Sequence, residues 1–257
     1  LAGVDGPLPC IVADDAVLAL GRLAACYRRD LLDCAVVAIT GSSGKTSTKD
    51  LVASVLASLG ETVAAAGSFN TEVGVPLTIL SAGPSTSFLV VEMGMRGPGH
   101  IDYLAQLARP DVGVIVNVGS AHLGMLGSRE AIAAAKSELV AALDASAVAV
   151  LNADDLLVAG MQDVTRAECL PFGEPAMASV RAVHVRLDGQ ARASFTLLDQ
   201  RPGRSASAPM SLQFSGEHYV SNALAAATVG LALGADLDAV AEALAAQIAG
   251  VDAREGD

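Results

Sequence analysis

The stretch from Thr40 to Asp50, Thr-Gly-Ser-Ser-Gly-Lys-Thr-Ser-Thr-Lys-Asp, constrains this chain more than any other, because it joins a β-branched apolar run, Ala35 to Ile39, to a segment of helical periodicity through two glycines. It reads as a phosphate loop. Gly41 and Gly44 let the backbone turn its N–H groups toward an anion, and the helix that follows adds the positive end of its dipole. Lys45 reaches the outer phosphates as a compact cation and Thr46 holds a magnesium ion, so Gly41, Ser42, Ser43, Gly44, Lys45, Thr46 and Ser47 are the expected nucleotide contacts. Leu51, Val52, Val55, Leu56 and Leu59 fall on one face of the predicted helix, with Gly60 in the stop position. Ile39 stands where the longer phosphate-loop pattern has its first glycine, leaving the shorter form Gly-x-x-Gly-Lys-Thr-Ser.

Along the chain, Pro9 to Val12 reads as a short strand, and Asp14 or Asp15 caps a helix to about Arg29 on which Val17, Leu18, Leu20, Leu23 and Ala24 are apolar. After the loop strand and its helix come an apolar run at Thr62 to Ala66, a loop at Gly67 to Gly74, and a helix from Pro76 to about Ser81. Strands at Phe88 to Val91, Val112 to Val116 and Ala147 to Leu151 end in Glu92, Asn117 and Asn152, and Ser128 caps a helix to Leu143. This alternation predicts right-handed βαβ units and a mainly parallel sheet. Beyond Asp163, Val183, Val185 and Leu187 alternate with polar residues, Asp188-Gly189 signals a two-residue hairpin, and Ala193, Phe195 and Leu197 alternate again. Pro209 to Phe214 adds a strand, and Ala-rich helices at about Glu217 to Leu233 and Asp236 to Ala249 close the chain. The expected class is therefore α/β: a phosphate-loop-containing, mainly parallel sheet flanked by helices, with a smaller antiparallel patch in the C-terminal third.

A net charge of −12 with no Lys/Arg cluster argues against a nucleic-acid surface, so phosphates must be handled locally by backbone, Lys45 and metal. Cys10, Cys26, Cys34 and Cys169 follow neither metal-ligand nor disulfide spacing and are expected to be reduced, mostly buried thiols of a cytoplasmic protein. The uncharged run Tyr219 to Ala235 is rich in Ala, Gly, Ser and Thr and contains Asn222, which makes it a core helix rather than a membrane span. No basic segment precedes an apolar stretch at the start, so no signal peptide is expected. A start at Leu1 and a polar tail from Asp252 to Asp257 suggest a piece of a longer protein.

In an open parallel sheet the ligand lies at the carboxyl ends of the strands, where the phosphate loop, Glu92 and His122 all fall. A carboxylate and an imidazole near the outer phosphate suit a divalent cation. Lys136 is the least expected residue, because it shares the inward stripe of Ile132, Leu139, Val140 and Leu143. Two readings are open: its stem snorkels along the helix end, or burial lowers its pKa so that the neutral amine combines with carbon dioxide and the carbamate becomes an anionic metal ligand.

The chain resembles the ATP-binding central domain of the Mur ligases. The resemblance is carried by Gly41 to Asp50, Asn70 with Gly74-Val-Pro-Leu-Thr78, Val91-Glu-Met-Gly94 with Pro98-Gly-His-Ile101, Asn117 with Ala121-His-Leu123 and Gly127-Ser128, Ala135-Lys136 with Glu138, and Gly216-Glu-His218 with Asn222-Ala-Leu-Ala-Ala226. The short loop form is that family's own. The resemblance implies ATP and two magnesium ions, with Thr46 and Glu92 on the first, and His122 and a carbamylated Lys136 sharing Glu92 around the second. It places Lys45 on the β- and γ-phosphates, Asn222 beside the adenine, and Asn70 and Thr71 on the muramoyl substrate. The family often has Asn at both of the last two positions, and Asn at the position of Tyr219; His218 is either a functional group or only a helix-start residue. Residues 1–32 would then lead in from an N-terminal domain, 33–250 form the central domain and 251–257 a tail. The implied reaction joins D-Ala-D-Ala to a UDP-linked muramoyl peptide through an acyl phosphate, in a monomer. Two other functions fit less well: another ligase of the same superfamily, such as a folylpolyglutamate-type or tripeptide-forming ligase, and a nucleotide-hydrolysing switch, which has no use for the second metal site.

Overall fold

The computed structural model describes residues 12–121 and 123–247. Nine strands form one sheet: β1 (Ala35–Thr40), β2 (Thr62–Ala64), β3 (Phe88–Glu92), β4 (Val112–Ile115), β5 (Val148–Asn152), β6 (Glu168–Gly173), β7 (Val180–Leu187), β8 (Arg192–Asp199) and β9 (Ala206–Ser215). Their order across the sheet is β2-β3-β1-β4-β5-β6-β7-β8-β9. All pairs through β6–β7 are parallel, and the last two are antiparallel, so the expected antiparallel patch is an edge extension of the main sheet.

Helices cover both faces: α1 (Ala16–Leu31), α2 (Lys45–Ala57), α3 (Gly74–Ser81), α4 (His100–Ala108), the single turn α5 (Leu123–Leu126), α6 (Arg129–Ala141), the single turn α7 (Leu156–Ala159), α8 (His218–Ala232) and α9 (Leu237–Ala245). β1 shows the division of the core. Val37 and Ile39 pack with Leu51, Val55 and Ala226 on one face, while Val36 and Ala38 pack with Ile79, Leu104 and Leu139 on the other. With both faces covered, a strand must be apolar throughout, which is why β1, β3 and β4 read as unbroken hydrophobic runs. None of the helices among the described residues is long and apolar enough to cross a membrane.

Several expectations shift. The strand at Pro9 to Val12 and the end of the last helix fall largely outside the described residues. Asp15, not Asp14, caps α1, accepting from Leu18 N–H at 2.9 Å. α1 packs on its neighbours through Gly21 and Ala24, while Val17, Leu18 and Leu23 are exposed. Leu59 falls past the end of α2 and is exposed as well. The β7–β8 connection is longer than two residues. Asp188 closes it by accepting from Gln190 and Arg192 N–H through its side chain, with Ala191 at φ 57°. The thiols are not mostly buried: Cys26 is exposed, and Cys34 and Cys169 are half-buried, their pKa values pushed up by burial; all three are free, and Cys10 lies outside the described residues.

Candidate active site

The phosphate loop crosses from β1 to α2 at the carboxyl edge of the sheet. Gly44 sits at φ 74°, a conformation that glycine adopts without strain, and a Cβ there would lie 2.7 Å from Asn222 Oδ1. The N–H groups of Ser42 and Ser43 do not point freely at a ligand. Both donate to Asn117 Oδ1, at 3.0 and 3.1 Å, and Ser42 Oγ accepts from Gly119 N–H at 2.8 Å. The end of β4 thus braces the loop, and the first-turn N–H groups of α2, which have no partners within their own helix, are left to receive an anion. Lys45 Nζ arches back to Gly41 O at 3.1 Å, which places its charge over the same turn.

Beside the loop, Thr46 Oγ1 donates to Glu92 Oε2 at 2.8 Å, and Asn70 Nδ2 donates to Glu92 Oε1 at 2.7 Å. Glu92 is 1% exposed, so these bonds are what allow a carboxylate to end β3 inside the protein. Hydroxyl and carboxylate oxygens side by side are hard donors of the kind magnesium takes, completed by phosphate oxygens and water. No group of three or more His, Cys, Asp or Glu among the described residues converges on a metal position. Thr71 turns its hydroxyl into its own loop, where it accepts weakly from Val73 and Gly74 N–H, both at 3.4 Å.

Lys136 is 2% exposed on α6, as its stripe position predicts. Burial, and then the charge of Lys45, lower its pKa from 10.5 to about 8. α6 packs on the face of the sheet opposite α2, yet the charge of Lys45 reaches Lys136, and none of the ion pairs among the described residues involves Lys136. His122 lies outside the described residues.

On the other flank of the loop a cleft of about 670 Å³ is bounded by Ser43, Lys45, Ser47, Asn117, Tyr219 and Asn222. Asn222 is 3% exposed, and its Nδ2 has no hydrogen-bond partner among the described residues. Phe214 and Tyr219 stack at 4.7 Å between centroids at its edge, and His218 tilts against Tyr219. The supporting roles of two residues were not legible in the sequence. Asn152, buried at the end of β5, donates to Val116 O at 2.8 Å and Ser221 Oγ at 3.3 Å, and Glu138 accepts from Gly99 N–H at 2.6 Å and Asp102 N–H at 3.1 Å. The strand-end position of Asn152 was a usable signal; Glu138 stood among the residues that carry the family resemblance, but its partners, Gly99 and Asp102, are too remote in sequence to reveal its structural role.

Comparison with known proteins agrees with this geometry. Residues 39–230 match the family described as Mur ligase middle domain. The chain is 46% identical to the UDP-N-acetylmuramoyl-tripeptide--D-alanyl-D-alanine ligase of Mycobacterium leprae over 94% of this chain and 50% of the relative. It is 48% identical to the enzyme of the same name from Mycobacterium tuberculosis H37Rv, over 90% of this chain and 45% of the relative. MurF from Acinetobacter baumannii superposes with a TM-score of 0.88 at 34% identity, covering 99% of this chain and 55% of that one. The MurF ligase of Thermotoga maritima in complex with ADP gives 0.78 at 29% identity, covering 92% and 53%. The chain thus spans about half the length of the relatives it matches. A match that runs from the last residues of β1 into α8 takes in the phosphate loop, Glu92 and Lys136 together, and the chain accordingly belongs to the Mur ligase family.

Proposed function

We propose that the protein containing this chain is an ATP-dependent peptide ligase that joins D-Ala-D-Ala to a UDP-N-acetylmuramoyl-tripeptide during cytoplasmic synthesis of peptidoglycan precursors. Residues 33–250 act as its ATP-binding domain, with residues 1–32 leading in from an N-terminal domain, and the enzyme works as a monomer. The observation that carries this reading is the Thr46–Glu92 pair at the mouth of the phosphate loop, with Lys45 over the loop and Lys136 buried within reach of its charge. The names of the relatives supply the substrates.

The reaction needs no covalent enzyme intermediate. A peptide carboxylate attacks the γ-phosphorus of ATP and expels ADP, and the amine of D-Ala-D-Ala then attacks the acyl carbon and expels phosphate. The protein's part is to hold the reactants in line and to offset the charge of the transferring phosphoryl group. Lys45 does so directly, and the first-turn N–H groups of α2 hold the phosphates. Thr46 and Glu92 would hold one magnesium ion, while Glu92, His122 and the carbamate of Lys136 would hold a second. Bound magnesium supplies charge neutralisation at the phosphates. With a pKa of about 8, a useful fraction of Lys136 is neutral amine near physiological pH; it combines with carbon dioxide to give the carbamate and a proton. The unpartnered Nδ2 of Asn222 offers a donor to an adenine nitrogen, and Asn70 and Thr71 would contact the muramoyl substrate, as the family resemblance implies.

Phosphate release by the full-length protein tests the proposal. Release should require both the UDP-linked tripeptide and D-Ala-D-Ala. Release with glutamate as the amine would instead indicate a folylpolyglutamate-type ligase, and release without any amine a hydrolysing switch.

A further inference from the structure

The chain contains only three lysines, at 45, 49 and 136, and the mechanism above uses two of them. Lys49 lies on α2, three residues after Thr46, with its side chain 3% exposed. Its Nζ donates to Ala65 O at 2.7 Å and Gly67 O at 3.0 Å, and pairs with Asp50 at 3.0 Å. A buried cation is retained only when its donors are satisfied. Here the acceptors are two backbone carbonyls of the segment between β2 and α3.

Beyond a turn in which Phe69 N–H donates to Ala66 O at 3.2 Å, and the close approach of Gly74 to the Phe69 backbone, that segment has little else to hold it. Ala66, Gly67, Ser68 and Phe69 are exposed, Phe69 by half, and Gly67 stands at φ 51°. Its first fixed points are Ala65 N–H on Val90 O, at 3.0 Å, and Lys49. Three residues after Gly67 comes Asn70, held at both ends: its carbonyl accepts from Gly94 N–H at 2.8 Å and its Nδ2 donates to Glu92 Oε1 at 2.7 Å. The approach to β3 is close, since a Cβ on Gly94 would lie 2.8 Å from Asn70 Oδ1. So short a connection transmits any displacement of Gly67 to the amide that grips Glu92.

We propose that Lys49 is a positioning residue that aims Glu92. By fixing the 65–67 backbone it holds Asn70 against Oε1 and so presents Oε2, the oxygen beside Thr46, to a divalent cation. The α2 helix thereby sets both members of the donor pair, Thr46 directly and Glu92 through Lys49 and Asn70. This rests on the reading of Thr46 and Glu92 as magnesium donors.

The experiment is titration calorimetry of ADP into the full-length protein, with EDTA and with magnesium. For the unaltered protein, magnesium should tighten ADP binding. In Lys49→Met, ADP affinity in EDTA should be unchanged, because the phosphate loop and Lys45 are untouched, while the gain from magnesium should fall about tenfold or more, as for loss of a group that orients a metal ligand. Asn70→Ala should show the same selective loss. The double variant should lose no more than the worse single one, since both act on one carboxylate. Should circular dichroism show Lys49→Met unfolded, Lys49→Gln, which keeps a donor on a shorter stem, serves in the same comparison. Equal losses with and without magnesium, or additive losses in the double variant, would overturn the proposal and leave Lys49 a purely structural residue. No magnesium effect on the unaltered protein would overturn the magnesium reading itself, and the proposal with it.

Discussion

Replacing Lys136 by Met should stabilise this chain at neutral pH, against the usual rule that a core substitution destabilises. The ammonium is buried to 2% exposure and its pKa falls from 10.5 to about 8, through burial first and the charge of Lys45 second. In the unfolded chain the amine returns to its ordinary value. Between about pH 8 and pH 10.5 the unfolded state therefore binds the extra proton, and stability must rise with pH across that window. Below it both states are protonated and the cost of burying the charge is present in full. At about 1.4 kcal/mol per pKa unit the displacement is worth about 3 kcal/mol. Methionine keeps most of the apolar stem and removes the charge, so Lys136→Met should gain about 2–3 kcal/mol at pH 7, shrinking to about 1 kcal/mol near pH 9.5. The chain has no tryptophan, so urea unfolding followed by circular dichroism, in carbon-dioxide-depleted buffer with EDTA, is the suitable assay. A Met variant no more stable than the parent at pH 7, or one whose advantage does not change with pH, would refute an uncompensated ammonium at this position.

Under the proposed function the same residue has the opposite effect on catalysis. In the full-length protein Lys136→Ala should lose most ligase turnover, and acetate or formate should restore part of it by occupying the vacated ligand position; Lys136→Arg should stay inactive, because guanidinium forms no carbamate, and an active Arg variant would show that no carbamate is needed. Gly44→Ala places a Cβ 2.7 Å from Asn222 Oδ1 at φ 74°. A strain of about 1–2 kcal/mol there should weaken ADP binding about tenfold by calorimetry, and an unchanged Kd would mean that the loop relaxes without cost.

The parts of this fold that could be read from sequence are those whose cause is local. β1, the phosphate loop and α2 follow one another within a short stretch, and each is dictated by its own residues: β-branched side chains, two glycines, then an apolar stripe. Lys136 was legible for the same reason, since a helical stripe reports its own interior side. α4 was not. It begins after Gly97-Pro98-Gly99 with no capping side chain of its own, and its N-terminal N–H groups are satisfied by Glu138 from α6, 39 and 36 residues away. β6 escaped because Pro171 lies inside it, and proline argues against an interior strand unless its missing donor happens to face a gap in the ladder. The brace from Asn117 to Ser42 and Ser43 spans 75 and 74 residues, so the loop's own sequence suggests N–H groups free for phosphate that the fold has already engaged.

The choice of cation bears on the same division. Outside positions 45, 49 and 136 every basic residue other than histidine is arginine, in a chain of net charge −12. Arginine serves the periphery, where Arg28 caps Ala108 O and Leu32 O and pairs with Asp111, and Arg192 pairs with Asp188. A planar fork that never loses its proton suits those contacts. The three lysine positions ask for what a guanidinium lacks. Under the proposed function Lys45 needs a compact charge able to swing from Gly41 O to a phosphate and Lys136 must be able to give up its proton, while Lys49 satisfies two carbonyls and a carboxylate from one buried point. A chain that otherwise builds its cations from arginine thus keeps lysine on two helices, α2 and α6, at three positions where the geometry or the proposed chemistry excludes arginine, and the proposal for Lys49 follows the same logic as the roles proposed for the other two.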